Sequence, residues 1–275
     1  MTYLLSEEGR RALRALVGKP ILYGFDFDGT LAPISSNRAA VKMSRSVYEW
    51  LKELAKRAPC AVVSGRARAD IESRMNGTVA HLIGNHGIEN VLASAPTLAL
   101  AEGICQGWLQ ELATCHAQPL NDLGVELEDK RYSLTLHYRG ALEPARVRIA
   151  VLLILQQLSP APRVIFGKAS ANALPPGHGG KGTAAQALMV HLQQTGLFFV
   201  GDDETDEDVF GLTEGLAMGV RVGHRAESRA QYYIKHQGEL EDVIRFLVHR
   251  IDRTPESLDH DGRRSAEGRK AANDL

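Results

Sequence analysis

Asp26 and Asp28 flank Phe27 at the end of an apolar run, Ile21–Phe27, and head the segment Asp26-Phe27-Asp28-Gly29-Thr30-Leu31-Ala32-Pro33. An aspartate in that place can attack phosphorus and hold the phosphoryl group as a mixed anhydride, dividing one difficult displacement into two easier ones. A second carboxylate two residues on can protonate a leaving alkoxide and then deprotonate the attacking water. Gly29 permits a sharp turn, and the free N–H groups near it can receive phosphate oxygens. A bare D-x-D is more often a solvated acidic turn. The longer run directly after an apolar strand is what points to chemistry.

Such residues need elements to hold them. Short apolar runs read as buried parallel strands at Ile21–Phe27, Cys60–Ser64, His81–Gly84, Leu197–Gly201 and Leu216–Val220. Amphipathic helices lie at Ser44–Ala58, Ala67–Met75, Lys181–Gln193 and Glu239–Ile251. Strand, helix, strand in succession predicts a doubly wound, Rossmann-like α/β core whose ligand sits at the carboxyl ends of the strands. The first and fourth strands end in Asp26 and in Asp202-Asp203, so their acids would converge there.

The middle of the chain has a different rhythm. Thr97–His116 looks helical, and Val125–Glu128 and Ser133–Tyr138 alternate with period two around a charged turn, as a hairpin does. A helix at Glu143–Leu158 and two short strands, Arg163–Phe166 and Ala169–Ala173, follow. This αββαββ order predicts an α+β cap at residues 91–178, inserted into a core made of 1–90 and 179–251, with Pro and Gly at both junctions. In the cap hairpin, Glu126, Glu128 and Lys130 share one parity, as do Ser133, Thr135, His137 and Arg139. One face is thus rich in hydrogen-bonding groups suited to sugar hydroxyls, although a half-exposed antiparallel sheet has the same pattern. Residues 252–275 are polar and read as a disordered tail.

Composition excludes more than it assigns. A net charge of −1 over 275 residues, with no basic cluster, gives no sign of a nucleic-acid partner. Cys60, Cys105 and Cys115 form no metal-ligand pair and suit a reducing compartment. The charged Ser6–Arg11 segment does not fit a signal peptide, and Val147–Leu158 is too short to span a bilayer. A cytoplasmic protein acting on a small molecule, as a monomer or weak oligomer, is expected.

The run D-x-D-G-T-L resembles the first motif of the haloacid-dehalogenase superfamily of aspartate phosphatases, and three more segments match in order. Val62-Val63-Ser64-Gly65-Arg66 resembles the second motif, whose Ser bonds the phosphoryl group. Lys181-Gly182 resembles the third, whose Lys offsets charge on phosphoryl and nucleophile. Gly201-Asp202-Asp203-Glu204-Thr205-Asp206 resembles the fourth, which supplies metal-binding acids. The resemblance implies Asp26 as nucleophile, Asp28 as proton shuttle, and Ser64 and Lys181 as catalytic partners. It also implies Mg²⁺ held by Asp26, Asp28 (through its carbonyl) and Asp202. Asp203 and Asp206 would bind the metal through water or orient Lys181.

With its type-two cap, the chain is most similar to the trehalose-6-phosphate phosphatases over about residues 20 to 250. Gly84-Asn85-His86-Gly87-Ile88-Glu89, with the Glu128-x-Lys130 and His137-Tyr138-Arg139 segments, carries that likeness. It implies a sugar phosphate substrate, bound through Gly29, Thr30, Gly65, Arg66, His86, Glu128, Lys130, His137, Arg139 and Asn172. One departure stands out. Asn172 and Leu174 occupy places where that family carries a Glu and a basic residue, and Asn bonds a hydroxyl without charge while Leu cannot bond one. That departure keeps a phosphatase of another sugar phosphate open beside hydrolysis of trehalose 6-phosphate. A phosphomutase, which shares the aspartate motif and a similar cap, and a non-catalytic sugar-binding regulator are the further alternatives.

Overall fold

The computed structural model describes residues 1–253 apart from 36, 38, 39, 168, 178, 179, 213 and 214. The expected tail from 254 onward lies outside the described residues, while Asp252, at its start, pairs with Arg57 at 2.6 Å.

Chain order is β1 (Thr2–Tyr3), α1 (Glu7–Arg14), β2 (Ile21–Phe25), α2 (Arg45–Ala55), β3 (Cys60–Val63), α3 (Arg68–Met75) and β4 (His81–Ile83). There follow α4 (Ala95–Cys115), α5 (Ala117–Asp122), β5 (Glu126–Asp129), β6 (Leu134–His137), α6 (Pro144–Leu155), β7 (Arg163–Gly167) and β8 (Ser170–Leu174). The chain closes with α7 (Lys181–His191), β9 (Gly196–Gly201), α8 (Glu207–Phe210), β10 (Ala217–Val222), β11 (Tyr232–Ile234) and α9 (Leu240–Ile251).

Seven strands form one parallel sheet in the order β1-β11-β10-β9-β2-β3-β4. Each central strand is apolar on both faces, as a sheet covered on two sides must be. Tyr23, Phe25, Val62, Phe198 and Val200 pack under α1, α2, α3 and α9, whereas Leu22, Val63, Leu197 and Phe199 pack under α7 and α8. The strand order reverses between β2 and β9, which puts their carboxyl ends side by side at the switch point where such sheets bind ligands.

The remaining four strands form an antiparallel sheet, β5-β6-β8-β7. Its register pairs Glu128 with Thr135, Thr135 with Asn172, and His137 with Ser170. The parity read from the hairpin is therefore the one the sheet adopts. Leu134, Leu136, Ala171 and Ala173 face α4 and α6 in a separate apolar cluster around Trp108.

The differences from expectation are local. Strand β2 ends at Phe25, not Phe27, because Asp26 to Ala32 folds into a turn closed by Gly29 N–H donating to the Ala32 carbonyl at 2.7 Å. The expected αββαββ unit carries an extra short helix, α5, and two brief strands, β11 and outside it β1, extend the parallel sheet.

Candidate active site

A cavity of about 410 Å³ lies between the carboxyl ends of the parallel strands and the polar face of the antiparallel sheet. Asp26, Asp28, Ser64, Lys181, Asp202 and Asp203 line its floor, and Glu128, Lys130, His137 and Asn172 its roof. Gly65, Arg66, His86 and Arg139 also line it. Gly29, Thr30 and Asp206 do not reach its wall and act from behind.

Asp26 follows β2 directly, its N–H still in the sheet ladder through the Val200 carbonyl at 2.8 Å. Its carboxylate accepts from Lys181 Nζ at 2.7 Å, and the same ammonium donates to Asp206 at 2.8 Å. All three groups are buried. Burial pushes the Asp26 carboxyl well above the usual carboxylate range, Lys181 opposes that shift, and Asp206 and Asp202 reinforce it. Lys181 is itself driven upward: burial alone would lower it, but Asp206 and Asp26 outweigh burial.

The other oxygen of Asp206 accepts the N–H groups of Asp202 and Asp203, both at 2.9 Å. Asp206 therefore both orients Lys181 and shapes the acidic loop. Asp203 does not meet Lys181 in this way. Its carboxylate caps the next turn by accepting from Glu204 N–H at 2.8 Å.

Among the described residues, Asp26, Asp202 and Asp206 bring carboxylate oxygens within 4.8 Å of one another. Asp28 and Asp203 stand outside that grouping. Three carboxylates against the one Lys181 ammonium leave this group two negative charges in excess, the charge of a divalent cation. Hard oxygen donors suit Mg²⁺ rather than zinc. Gly29 makes room for this cluster. Its φ of +89° suits glycine, and a Cβ there would lie 2.3 Å from the Asp202 carboxylate.

Asp28 is held by Arg66, whose Nε and Nη2 donate to its two oxygens at 2.5 and 2.7 Å. The Arg66 guanidinium also rests over the Phe27 ring, 5.5 Å from the centroid. Ser64 sits at the end of β3, buried, and its hydroxyl accepts from Arg66 N–H at 3.2 Å.

His86 is closely fitted. It is buried with φ of 55°, its ring is pressed on Gly65, and a Cβ at Gly65 would come within 2.4 Å of it. Both ring nitrogens are buried without hydrogen-bond geometry to a protein group. Burial, then Lys130 and Lys181, pushes its pKa well below the usual imidazole value; Asn172 opposes the shift.

On the roof, His137 Nε2 and Glu128 share a hydrogen bond of 2.6 Å. Lys130 reaches across to the Gly65 carbonyl at 3.0 Å, and Arg139 to the Ser35 carbonyl at 3.2 Å. Asn172 is largely committed within its own sheet: its carbonyl accepts from Thr135 at 2.8 Å and its amide donates to the Ile165 carbonyl at 3.1 Å. Leu174 is fully buried with Ile88, Ala101 and Tyr132, so a basic side chain has no place there. Thr30 is buried, its hydroxyl without a hydrogen-bond partner. Sequence reasoning missed Asp70 and Arg74, both of which line the cavity, and placed Thr135 on the polar face of the hairpin, where it does line it. The first two carried a signal: Arg66, Asp70 and Arg74 are spaced at i, i+4, i+8.

Residues 24–236 match the model of the trehalose-phosphatase family. The chain belongs to that family. Among its relatives, a maize trehalose 6-phosphate phosphatase is 26% identical over 86% of this chain and 72% of the relative. A *Mycobacterium avium* trehalose-phosphate phosphatase is 30% identical over 73% of this chain, which spans only 53% of that relative's length. The C-terminal domain of *Candida albicans* trehalose-6-phosphate phosphatase shares the fold, with a TM-score of 0.69 at 21% identity over 90% of this chain and 98% of that one. No helix among the described residues is long and apolar enough to cross a membrane.

Proposed function

We infer that this chain hydrolyses trehalose 6-phosphate to trehalose and phosphate by way of an aspartyl-phosphate on Asp26. The observation that carries the reading is that one cavity has the Asp26–Lys181 pair as its floor and a hydrogen-bonding face, Glu128, Thr135 and His137, as its roof. A phosphate ester seated on that floor presents its alcohol to that roof.

Asp26 attacks phosphorus, the sugar oxygen leaves with a proton from Asp28, and Asp28 then takes a proton from the water that cleaves the aspartyl-phosphate. Lys181 offsets charge on the transferring group, and Ser64 is placed to donate to one of its oxygens. Mg²⁺ held by Asp26 and Asp202, with Asp206 behind them, would neutralise the repulsion between nucleophile and phosphate dianion. Roof groups orient the disaccharide and keep bulk water away from the acyl phosphate. His86, Lys130 and Arg139 contribute contacts to it, and Asn172 offers it one remaining N–H.

Phosphate release across a panel of sugar phosphates tests the reading. Trehalose 6-phosphate should exceed glucose 6-phosphate in kcat/KM by about 100-fold or more, because buried polar groups of the roof go unpaired with the smaller sugar. Equal rates on the two would sink the specific assignment. Chelation should abolish turnover on every ester, with Mg²⁺ restoring it.

A further inference from the structure

Asp28 needs its carboxylate aimed at the leaving oxygen, yet its side chain is more than one-third exposed, at 38%. Among the described residues, Arg66 is the side chain that holds it. Arg66 spends Nε and Nη2 on Asp28 and gives Nη1 to Asp70 on α3 at 2.7 Å. The other oxygen of Asp70 receives Arg74 Nε at 2.9 Å, and Arg74 Nη1 is fixed to the Val41 carbonyl at 2.6 Å. Burial works against the Asp70 charge, but hydrogen bonds from Arg74 and Arg66 more than offset it and hold the carboxyl below its usual range. Asp70 and Arg74, four apart on α3, are neighbours on one helix face, and Arg66, which precedes the helix, meets Asp70 from its N-terminal side.

A guanidinium beside a phosphate site has two anionic suitors. Arg66 lines the same cavity as Asp26, so an incoming phosphate dianion competes with Asp28 for its planar fork. A third anion on the far side of the guanidinium is needed to keep the fork facing Asp28. Asp70 is that anion, and Arg74, tied to the backbone, keeps Asp70 from following.

We propose that Asp70 is a positioning residue, which through Arg66 aims the Asp28 carboxylate at the leaving group and at the hydrolytic water. The proposal rests on Asp28 being the acid and base of the reading above. It does not depend on which sugar is the substrate.

The test compares two leaving groups in single-turnover measurements on the full-length Mg²⁺-loaded enzyme. An alkoxide leaving from a sugar phosphate needs a proton from Asp28, whereas a nitrophenolate leaving from an aryl phosphate does not. Asp70→Asn should slow phosphoryl transfer from the sugar phosphate about tenfold, a fraction of the factor general acid catalysis supplies. Transfer from the aryl phosphate should fall by less than about twofold, so that with this ester in excess over enzyme a burst of nitrophenolate precedes slow hydrolysis of the aspartyl-phosphate. KM should hold steady, and Asp70→Glu should recover most of the loss. Equal slowing with both esters, or no slowing with either, overturns the proposal. Thermal unfolding of each variant separates misfolding from mispositioning. If wild-type enzyme prefers a different sugar phosphate to trehalose 6-phosphate, the substrate assignment falls while this comparison stands with the preferred ester.

Discussion

At the level of single residues, the site concentrates charge where water has been removed. Lys181 is shared between two carboxylates, and its loss would leave Asp26 and Asp206 facing each other across a buried gap. His86 obeys the opposite rule, since the fold keeps it neutral. Its folded-state pKa is depressed by burial and by Lys130 and Lys181. An unfolded imidazole takes up its proton near pH 6.5, so below that value the unfolded chain binds more protons than the folded one. Stability is therefore expected to fall as pH drops below about 6.5 and on toward the folded pKa. His86→Gln should flatten that decline, seen as a smaller loss of Tm between pH 7 and pH 5 than in the parent. An unchanged slope would show that the acid-side loss comes from other groups. At this scale Asp26 and Asp28 were legible because they share one short run after an apolar strand, and Asp202 because it ends another, whereas Lys181 stood out only by its likeness to a family motif. Asp28's partner was not legible: Arg66 lies 38 positions away, and only folding β2 beside β3 brings the two together.

At the level of elements, the parity of the β5–β6 hairpin fixes which side chains line the cavity and which reach α4 and α6. That much was readable because period-two alternation over four residues is a strong pattern. Strands β1 and β11, of two and three residues, are too short to show any period; β11 exists because β10 offers an edge to pair with, and β1 because β11 then offers one. The apolar faces also determine thiol chemistry. Burial raises Cys60 in β3 to about 12, and burial with Asp129 and Glu102 does the same for Cys105 in α4, while Cys115 at the end of α4 is exposed. A thiolate is the reactive form. A thiol reagent at neutral pH should then label one of the three cysteines in the folded protein and all three in denaturant. Labelling of two or more without denaturant would mean that β3 or α4 opens readily.

At the level of the whole molecule, the two sheets divide the work. The parallel sheet brings the ends of β2 and β9 together and so makes the acidic floor, whatever the substrate. The antiparallel sheet presents the roof, and it has its own apolar cluster around Trp108. Polar links cross between them, from Lys130 to Gly65, Arg139 to Ser35, Ser133 to Asn85 at 2.6 Å and Arg163 to Asp208 at 2.8 Å. Each hydrogen bond of this kind contributes about 1 kcal/mol net to holding floor and roof together.

The chain leaves the parallel sheet near Gly87 and returns near Gly180, and those points touch: a Cβ on Gly87 would lie 2.4 Å from the Gly180 carbonyl oxygen. An excursion of some ninety residues thus begins and ends at a single doorway. That closeness predicts a transplantable specificity: a different roof spliced in at the doorway should leave the acids below undisturbed. Replacing residues 91–178 by a short Gly/Ser bridge should leave a chain that unfolds cooperatively and still cleaves small aryl phosphates, with discrimination among sugar phosphates gone. Loss of cooperative unfolding in that chain would show instead that floor and roof fold only together.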